Sequence, residues 1–203
     1  MVLALGSLVA CLPLWVLVAV IIKLTSKGPV LFRNTVAGQG GKPFTYYKFR
    51  TMVHRNDPHQ HLGFLQQFVQ EDKPFAEVVD PTGNGKRKVY KVINDSRVTW
   101  AGKWLRKSSL DEIPQMINVL RGEMSVVGPR PPVWYEYELY GKWEKQRLAV
   151  KPGITGLYQV TARSQVSFQE MVRIDLEYIE KRSLGLDLWI LARTLGVMAQ
   201  GAD

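Results

Sequence analysis

The chain has 203 residues, enough for one hydrophobic core and little more than one domain. Its formal net charge of +9 suits an anionic partner such as nucleic acid, phospholipid headgroups or phosphorylated metabolites, without choosing among them. The single cysteine, Cys11, excludes an internal disulfide and a cysteine-rich zinc site, and all three histidines lie within residues 54–61. A metal site would therefore depend on oxygen ligands, which suit Mg²⁺ better than zinc.

The chain begins with a long apolar segment, MVLALGSLVACLPLWVLVAVII, and no charged residue precedes Lys23. As a helix it would extend about 33 Å, enough to cross a hydrocarbon core of about 30 Å. Pro13 favours a kink, which leaves two membrane geometries open: a kinked spanning helix and a re-entrant helix. A buried helix of a soluble protein is the alternative. Lys23, Lys27 and Arg33 predict that the remainder lies on the cytoplasmic side.

This pattern divides the chain into a membrane helix, residues 1–24, and a membrane-surface domain, residues 25–203. In the second part, GQGGKPFTYYKF is typical of a glycine turn followed by an extended segment, which predicts a small sheet. Residues 58–70 carry apolar side chains at helical spacing. Residues 80–88, DPTGNGKRK, are typical of a turn-rich, mobile insert.

Residues 97–107, RVTWAGKWLRK, predict an amphipathic helix with basic side chains on one side and Trp100 and Trp104 on the other. Tryptophans beside basic residues are common at membrane surfaces. Packing of the two rings into the core is the equally weighted alternative.

Two further helices follow. SFQEMVRIDLEYIEKRS begins with a capping box formed by Ser167 and Glu170, and LDLWILARTLGVMAQ lies near the end of the chain. Asp175, on the first of these helices, is a further acidic candidate for the site, and a surface charge is the favoured interpretation. The elements together predict an α+β fold that is mainly helical and membrane-associated, with one small antiparallel sheet.

The stretch SSLDEIPQ, residues 108–115, places two carboxylates side by side. Ser109 and Glu112 match the capping-box pattern S-x-x-E, so Ser109 is the predicted N-cap, with Asp111 and Glu112 in the first turn of a helix. Both carboxylates then lie at the positive end of the helix dipole. Ordinary capping explains such residues, and from spacing alone it is the stronger interpretation.

The basic residues nearby favour a second interpretation. Arg106 precedes the acidic pair, and GPRPP, residues 128–132, holds Arg130 between prolines that restrict its backbone. Guanidinium groups and a helix N-terminus both suit phosphate, although a rigid connector with a solvated arginine explains GPRPP equally well. A carboxylate kept ionised in such a setting can bind Mg²⁺ or attack phosphorus. YKFR adds Lys48 and Arg50, each weak evidence alone.

Taken together, these motifs resemble the bacterial polyprenyl-phosphate sugar-1-phosphate transferases, also called monotopic phosphoglycosyl transferases. The resemblance runs over nearly the whole chain in order: IKLTSKGPVLF, YKFRTM, INDSRVTWAGKWLRKSSLDEIPQMINVLRGEMSVVGPRP, VKPGITGLYQV and DLEYIEKRSLGLDLWIL. The long central block is the most specific part of the match.

The resemblance implies a catalytic domain on the cytoplasmic face of the bacterial inner membrane, anchored by a re-entrant helix that is broken at Pro13. It also implies that Asp111 is the nucleophile and that Glu112 assists with Mg²⁺ or with proton handling, the two carboxylates forming the metal site. Arg106 and Arg130 are the implied phosphate-binding residues. Further substrate-binding candidates are Lys48, Arg50 and Arg163.

The implied reaction transfers a sugar 1-phosphate from a UDP-sugar to undecaprenyl phosphate through an aspartyl-phosphosugar. It would initiate the synthesis of an exopolysaccharide, a capsule, an O-antigen or a glycoprotein glycan. A non-catalytic membrane-anchored scaffold of a glycan assembly complex is the alternative. No nucleic-acid partner is expected, because zinc-finger spacing, RNP-like strands and helix-turn-helix patterns are missing from the sequence. The transferred sugar and a homo-oligomeric state are left open.

Three departures from the family pattern bear on the site. Val36 stands where the family usually has an arginine, and Ala162-Arg163 stands where it often has Gly-Arg. Both positions bear on contacts with the sugar or the nucleotide. The family's usual charged residues ahead of the re-entrant helix are absent from this sequence. Residues 53–90 are also longer and more polar than a minimal member needs, and their role is left unassigned.

Overall fold

A computed structural model describes residues 12–53, 59–74, 76–79, 86–90 and 95–199. The helices in this part of the chain are α1 (Leu12–Thr25), α2 (His59–Glu71), α3 (Trp100–Lys107), α4 (Met116–Leu120), α5 (Trp134–Tyr137), α6 (Leu157–Thr161), α7 (Phe168–Lys181) and α8 (Leu184–Ala199). The strands are β1 (Leu31–Ala37), β2 (Pro43–Phe49), β3 (Ala76–Val79), β4 (Lys86–Val89), β5 (Ser125–Val127) and β6 (Gly153–Thr155). Short 3₁₀-helices span Gln39–Gly41, Leu110–Gln115, Glu144–Ala149 and Arg163–Gln165. Helices dominate these residues, as the predicted α+β class requires.

The strands form three separate pairs. β1 and β2 are antiparallel, with Leu31 opposite Phe49, and β3 and β4 are also antiparallel. The β1–β2 pair confirms the predicted small antiparallel sheet, whereas β5 and β6 are parallel, a pairing that the sequence did not predict. Parallel strands need a long connection, and the segment between β5 and β6 supplies it. β4 also corrects the predicted 80–88 insert, because residues 86–88 belong to this strand, while residues 80–85 lie outside the described part.

Helix α1 packs against the rest of the molecule through one side. Val18 and Ile22 form a buried cluster with Phe49 of β2 and Leu105 of α3. Pro13 is the second residue of the described part of this helix. The predicted kink and re-entrant geometry depend on residues 1–11, which lie outside the described part. Within the described residues, no helix has both the length and the apolar character needed to cross a membrane.

The predicted helix in residues 58–70 is confirmed as α2. Its Phe68 and Val69 are buried in a cluster with Phe168 and Val172 of α7. Part of the long 53–90 segment therefore contributes to the hydrophobic core. The two later helices are also confirmed, and the amide of Glu170 donates to Ser167 Oγ at 3.4 Å, as the capping box requires.

Helix α3 begins after Thr99, whose side-chain oxygen accepts a hydrogen bond from the amide of Gly102 at 3.0 Å. Trp100 is 77% exposed and Trp104 is 51% exposed. Of the two alternatives, packing of these rings into the core is therefore wrong, and the surface position is confirmed. Leu105 is the fully buried side chain of this helix, and its contacts leave the tryptophans on the surface.

Candidate active site

The acidic pair lies on the 3₁₀-helix Leu110–Gln115, which we call the acidic 3₁₀-helix. Ser109 has a left-handed backbone with φ 56°, and its side chain makes no capping hydrogen bond. The predicted capping box is therefore wrong. Instead, the amide of Glu112 donates to the carbonyl of Ser109 at 3.2 Å. Asp111 and Glu112 still occupy the second and third helical positions, next to a strained backbone of the kind that often accompanies functional sites.

Strand β2 brings Lys48 to this helix. Lys48 Nζ lies 2.5 Å from Glu112 Oε1 and 4.0 Å from Asp111 Oδ2. It also lies 5.5 Å from the centre of the Tyr46 ring, which is on the same side of the strand. One ammonium group therefore faces both carboxylates and an aromatic ring.

The two adjacent carboxylates have opposite pKa shifts. Burial raises the pKa of Asp111, which is only 7% exposed, and the nearby Lys48 ammonium opposes the change. Burial also acts to raise the pKa of Glu112, but its contact with Lys48 and the nearby Arg130 lower that pKa below its ordinary value. Burial acts to lower the pKa of Lys48, yet Glu112, Tyr46 and Asp111 together raise it above its ordinary value. The group thus holds a fixed ammonium, a stable Glu112 carboxylate and a more basic Asp111.

Arg106 is the second cation beside the acidic pair. Its Nε donates to Thr51 Oγ1 at 3.0 Å, which fixes the guanidinium beside β2. Burial lowers the pKa of Arg106, and the charges of Asp111 and Asp95 oppose this. Asp95 in turn forms an ion pair with Arg97 at 2.6 Å. This Asp95–Arg97 pair was not among the predicted site residues, although it lies in the N-D-S-R stretch near the start of the most specific sequence block.

The third cation, Arg130, lies on the loop between β5 and α5. Its side chain is exposed, and its charge contributes to lowering the pKa of Glu112. Three hydrogen bonds hold the backbone around it: Gly153 N to Pro129 O at 2.9 Å, Ala37 N to Pro132 O at 3.0 Å, and Arg147 Nη2 to Arg130 O at 3.4 Å. The predicted rigid setting of Arg130 is therefore present.

Three glycines allow this loop to pack directly on the KPGITG turn. A Cβ atom on Gly153 would lie 2.1 Å from the amide nitrogen of Gly128, and one on Gly156 would lie 2.3 Å from the Gly128 carbonyl oxygen. A Cβ on Gly128 itself would lie 2.6 Å from the carbonyl oxygen of Lys151. The two backbones touch, so neither turn has room for a side chain at these positions.

A buried ion pair contacts the loop that carries Arg130. Arg147 Nη2 lies 2.6 Å from Asp175 Oδ2, and both side chains are almost fully buried. Arg147 also donates to Tyr140 Oη at 2.7 Å, and Tyr140 in turn donates to Glu136. The expectation that Asp175 is a surface charge is therefore wrong. Arg147, which lies 28 residues before Asp175 in the chain, also donates to the carbonyl of Arg130.

Two predicted substrate-binding residues have partners elsewhere. The Nη atoms of Arg50 donate to the carbonyls of Ser26 and Lys27 at 2.8 and 2.7 Å, just after α1 ends. Arg163 donates to the carbonyl of Val197 in α8 at 3.1 Å. The structure therefore gathers Lys48, Arg106 and Arg130 around the acidic pair, while Arg50 and Arg163 bind backbone near other helices.

The acidic pair offers oxygen donors for a divalent ion. In the described residues, no group of three or more His, Cys, Asp or Glu side chains is arranged to hold a metal. Mg²⁺ is often bound by only one or two carboxylates, the substrate phosphates completing its shell. Asp111 and Glu112 fit this type of site, because the neighbouring cations also suit a phosphate ligand.

Known proteins resemble the chain over most of its length. Residues 1–201 match the family model described as "Bacterial sugar transferase". "Galactosyl transferase CpsE" of Streptococcus agalactiae is 40% identical over 86% of this chain and 35% of the relative. "Exopolysaccharide production protein ExoY" of Sinorhizobium fredii is 38% identical over 95% of this chain and 80% of the relative. "Undecaprenyl-phosphate galactose phosphotransferase" of Salmonella typhimurium is 39% identical over 84% of this chain and 33% of the relative.

The chain therefore spans about one third of the length of the CpsE and Salmonella relatives, and most of the length of ExoY. The family match is broader, since it runs across the membrane-helix candidate, the acidic pair and the Arg130 loop alike. A match of this extent shows that the chain belongs to the bacterial sugar transferase family.

Proposed function

We propose that this chain transfers a sugar 1-phosphate from a UDP-sugar to undecaprenyl phosphate, with Asp111 as the nucleophile. One observation carries the proposal: the acidic pair, whose Asp111 carboxylate is buried, lies near Lys48, Arg106 and Arg130, three cations suited to a diphosphate. The names of relatives support the substrates. One, from Xanthomonas campestris, is the "UDP-glucose:undecaprenyl-phosphate glucose-1-phosphate transferase", 37% identical over 95% of this chain and 36% of the relative.

In the first step, a carboxylate oxygen of Asp111 attacks the phosphorus that carries the sugar. The bond between that phosphorus and the bridging oxygen breaks, and the electron pair leaves with UMP. The products are UMP and a phosphosugar joined to Asp111 as an acyl phosphate. No proton transfer is required, because the nucleophile is already a carboxylate.

In the second step, a phosphate oxygen of undecaprenyl phosphate attacks the same phosphorus. The acyl phosphate bond breaks, and Asp111 returns as a carboxylate. The product is a membrane-bound diphosphate sugar. Because the same side chain is nucleophile and leaving group in turn, its raised pKa makes it a stronger nucleophile than an ordinary aspartate while burial keeps it shielded from water.

The surrounding residues position and neutralise the phosphates. Arg106 and Arg130 would bind the diphosphate, and Lys48 holds Glu112 in place beside the reacting carboxylate. Mg²⁺, held by Asp111 and Glu112, would offset negative charge on the phosphates. Phosphoryl transfer depends mainly on such positioning and electrostatic stabilisation.

The proposed location is the cytoplasmic face of the bacterial inner membrane, with residues 1–24 as the anchor and 25–203 as the catalytic domain. Two features support it: α1 packs on the acidic-site side of the fold through Phe49 and Leu105, and three basic residues follow the apolar segment. A site at the interface meets a soluble donor and a lipid acceptor. The product would initiate an exopolysaccharide or a related glycan.

Purified protein in nanodiscs tests the proposal through UMP release with Mg²⁺, undecaprenyl phosphate and a panel of UDP-sugars. We expect release with a preferred sugar, and loss of release in Asp111→Asn. Glu180→Gln, which alters an exposed carboxylate on α7, is the matched control and keeps wild-type release. Wild-type release from Asp111→Asn would remove Asp111 from its role. No release with any donor from folded protein would favour a non-catalytic scaffold.

A further inference from the structure

A cavity of about 670 Å³ lies where α1 gives way to the first strand pair. It is lined by Pro29, Val30, Leu31, Phe32, Arg33 and Arg50. Its volume falls within the range of ordinary ligand sites. The lining is unusual in composition, because four consecutive apolar residues meet two arginines and no carboxylate.

Arg50 is the part of this cavity that points to an anionic ligand. Its side chain is only 4% exposed, and within the described residues it pairs with no carboxylate. Its two Nη atoms bind carbonyl oxygens, but its buried Nε has no hydrogen-bond partner there. A buried cation with an unused donor is costly, and an anionic oxygen would satisfy it. Arg33, exposed against the Tyr47 ring, adds a second positive charge at the cavity.

Phe32 is the part that points to an apolar ligand. Its side chain is 46% exposed, although phenylalanine is among the residue types most often buried. The register of the β1–β2 pair places Phe32 opposite Lys48, so the two side chains share one side of the ribbon. Lys48 is the residue whose ammonium binds Glu112. Phe32 therefore connects the cavity with the acidic pair.

The cavity lining begins shortly after the apolar helix. Three residues separate the end of α1 at Thr25 from Pro29, and Val16, Leu17, Val20 and Leu24 of α1 are exposed. A ligand with a long apolar chain and an anionic head would place its chain along this surface and its head beside Arg50 and Lys48. A free nucleotide sugar has no apolar chain to use this lining.

We propose that this cavity binds the polyprenyl phosphate acceptor, with its isoprenoid units against Val30 and Phe32 and its phosphate directed by Arg50 toward the acidic site. The proposal rests on the function proposed above and adds the acceptor's binding site to it. Phe32 then acts on acceptor binding and not on the donor half of the reaction.

Phe32→Ala tests this assignment in nanodiscs, and because the ring is exposed, its removal leaves the core intact. Loss of its apolar contact should raise KM for undecaprenyl phosphate about tenfold, with a less than twofold change in KM for the UDP-sugar. Leu195→Ala, on an exposed position of α8, is the matched control and should change neither KM. An unchanged KM for undecaprenyl phosphate in Phe32→Ala would overturn the proposal.

A second measurement does not depend on turnover. A benzophenone-bearing polyprenyl phosphate is photolysed with the wild-type protein, and the labelled peptide is mapped by mass spectrometry. Labelling of residues 29–33 that excess phosphatidylglycerol fails to displace supports the acceptor site. Labelling elsewhere, or equal displacement by phosphatidylglycerol, overturns it. Absence of UMP release in the wild type counts against the proposed function alone, since the labelling still decides the cavity.

Discussion

Asp111 and Glu112 are chemically similar neighbours that the fold places in different surroundings. Asp111 is buried beside Arg106, whereas Glu112 binds the Lys48 ammonium directly. The result is a higher pKa for Asp111 and a lower one for Glu112. Separation of this kind allows one carboxylate to react while the other stays ionised and holds its neighbours.

The acid limb of the pH profile should follow the charge beside Asp111. In the proposed mechanism Asp111 reacts as a carboxylate, so activity should fall as the pH drops through its pKa. Lys48→Gln removes a cation that lowers this pKa, so the acid limb should move to higher pH. Glu112→Gln removes an anion that raises it, so the limb should move to lower pH. Both are measured as kcat/KM for UMP release against pH.

Lys48→Arg is the control for this pair of variants, because it keeps a positive charge opposite Glu112. Its acid limb should stay close to that of the wild type. Shifts of the same sign in Lys48→Gln and Glu112→Gln would contradict the assigned electrostatics, as would an unmoved limb in both.

The sequence predicted the acidic pair as a candidate site but not all of its surroundings. Spacing alone favoured ordinary capping, and the neighbouring arginines together with the family resemblance selected Asp111 and Glu112. Lys48 was only a weak candidate, because its contact with Glu112 spans 64 residues of chain and depends on how β2 packs on the acidic 3₁₀-helix. Ser109 matched a capping pattern, but no local sequence pattern predicted its left-handed backbone.

At the scale of elements, two turns and a buried ion pair hold Arg130. The GPRPP loop and the KPGITG turn touch backbone to backbone, and the parallel pairing of β5 with β6 joins their ends. Holding the loop in place before substrate arrives reduces the entropy that phosphate binding would otherwise cost. Arg130 is thus positioned by residues that need not touch the substrate.

Gly153→Ala should disrupt this unit. Its Cβ would lie 2.1 Å from the Gly128 amide nitrogen, so the two backbones must separate, at about 1–3 kcal/mol of unfolding free energy. The rate of UMP release should fall by more than the loss of unfolding free energy alone explains, because Arg130 moves with the loop. Gly63→Ala, where nothing lies within 4 Å, is the control and should stabilise α2 by about 0.5–1 kcal/mol. Denaturant unfolding and UMP release measure both effects, and a Gly153→Ala protein equal to the wild type in both would refute the packing argument.

Arg147→Met should destabilise the fold strongly. The change leaves Asp175 buried without its partner, which typically costs about 3–5 kcal/mol. Replacing both residues, as Arg147→Met with Asp175→Leu, should recover part of this loss, because no uncompensated charge then remains buried. Denaturant unfolding of the single and double variants measures the difference. A single variant within about 1 kcal/mol of the wild type would show that the ion pair does not support the fold.

Sequence patterns predicted some of these elements and not others. Helices α2, α7 and α8 followed from apolar spacing and capping. The parallel pair did not, because three-residue strands carry little periodic signal and their pairing depends on chain segments far apart. Asp175 was assigned to the surface for the same reason: the helix pattern could not reveal Arg147 on a neighbouring element.

At the scale of the whole molecule, two helices that pack against each other both carry exposed apolar side chains. Helices α1 and α3 meet through Ile22 and Leu105, and each turns apolar or aromatic residues outward, including Leu24, Trp100 and Trp104. With a net charge of +9, such a surface suits an anionic bilayer. Composition alone allowed Trp100 and Trp104 to face either the core or the solvent, and only the packing of Leu105 decided between them.

Brominated lipids test whether this surface meets the membrane. Trp100→Phe with Trp104→Phe removes two of the six tryptophans, and quenching by brominated lipid in nanodiscs should fall by about a third or more. Trp134→Phe changes a half-buried ring on α5 and should reduce quenching less. A larger loss in Trp134→Phe than in the double variant would place a different surface at the membrane.

The most direct test of the central claim is to look for the covalent intermediate. The protein is incubated with its preferred UDP-sugar without acceptor, quenched, digested and examined by mass spectrometry. We predict a phosphosugar on the peptide that contains Asp111, and its disappearance when undecaprenyl phosphate is added. Product formation with no adduct at any time, or an adduct on a different residue, would contradict the account of Asp111 as the nucleophile.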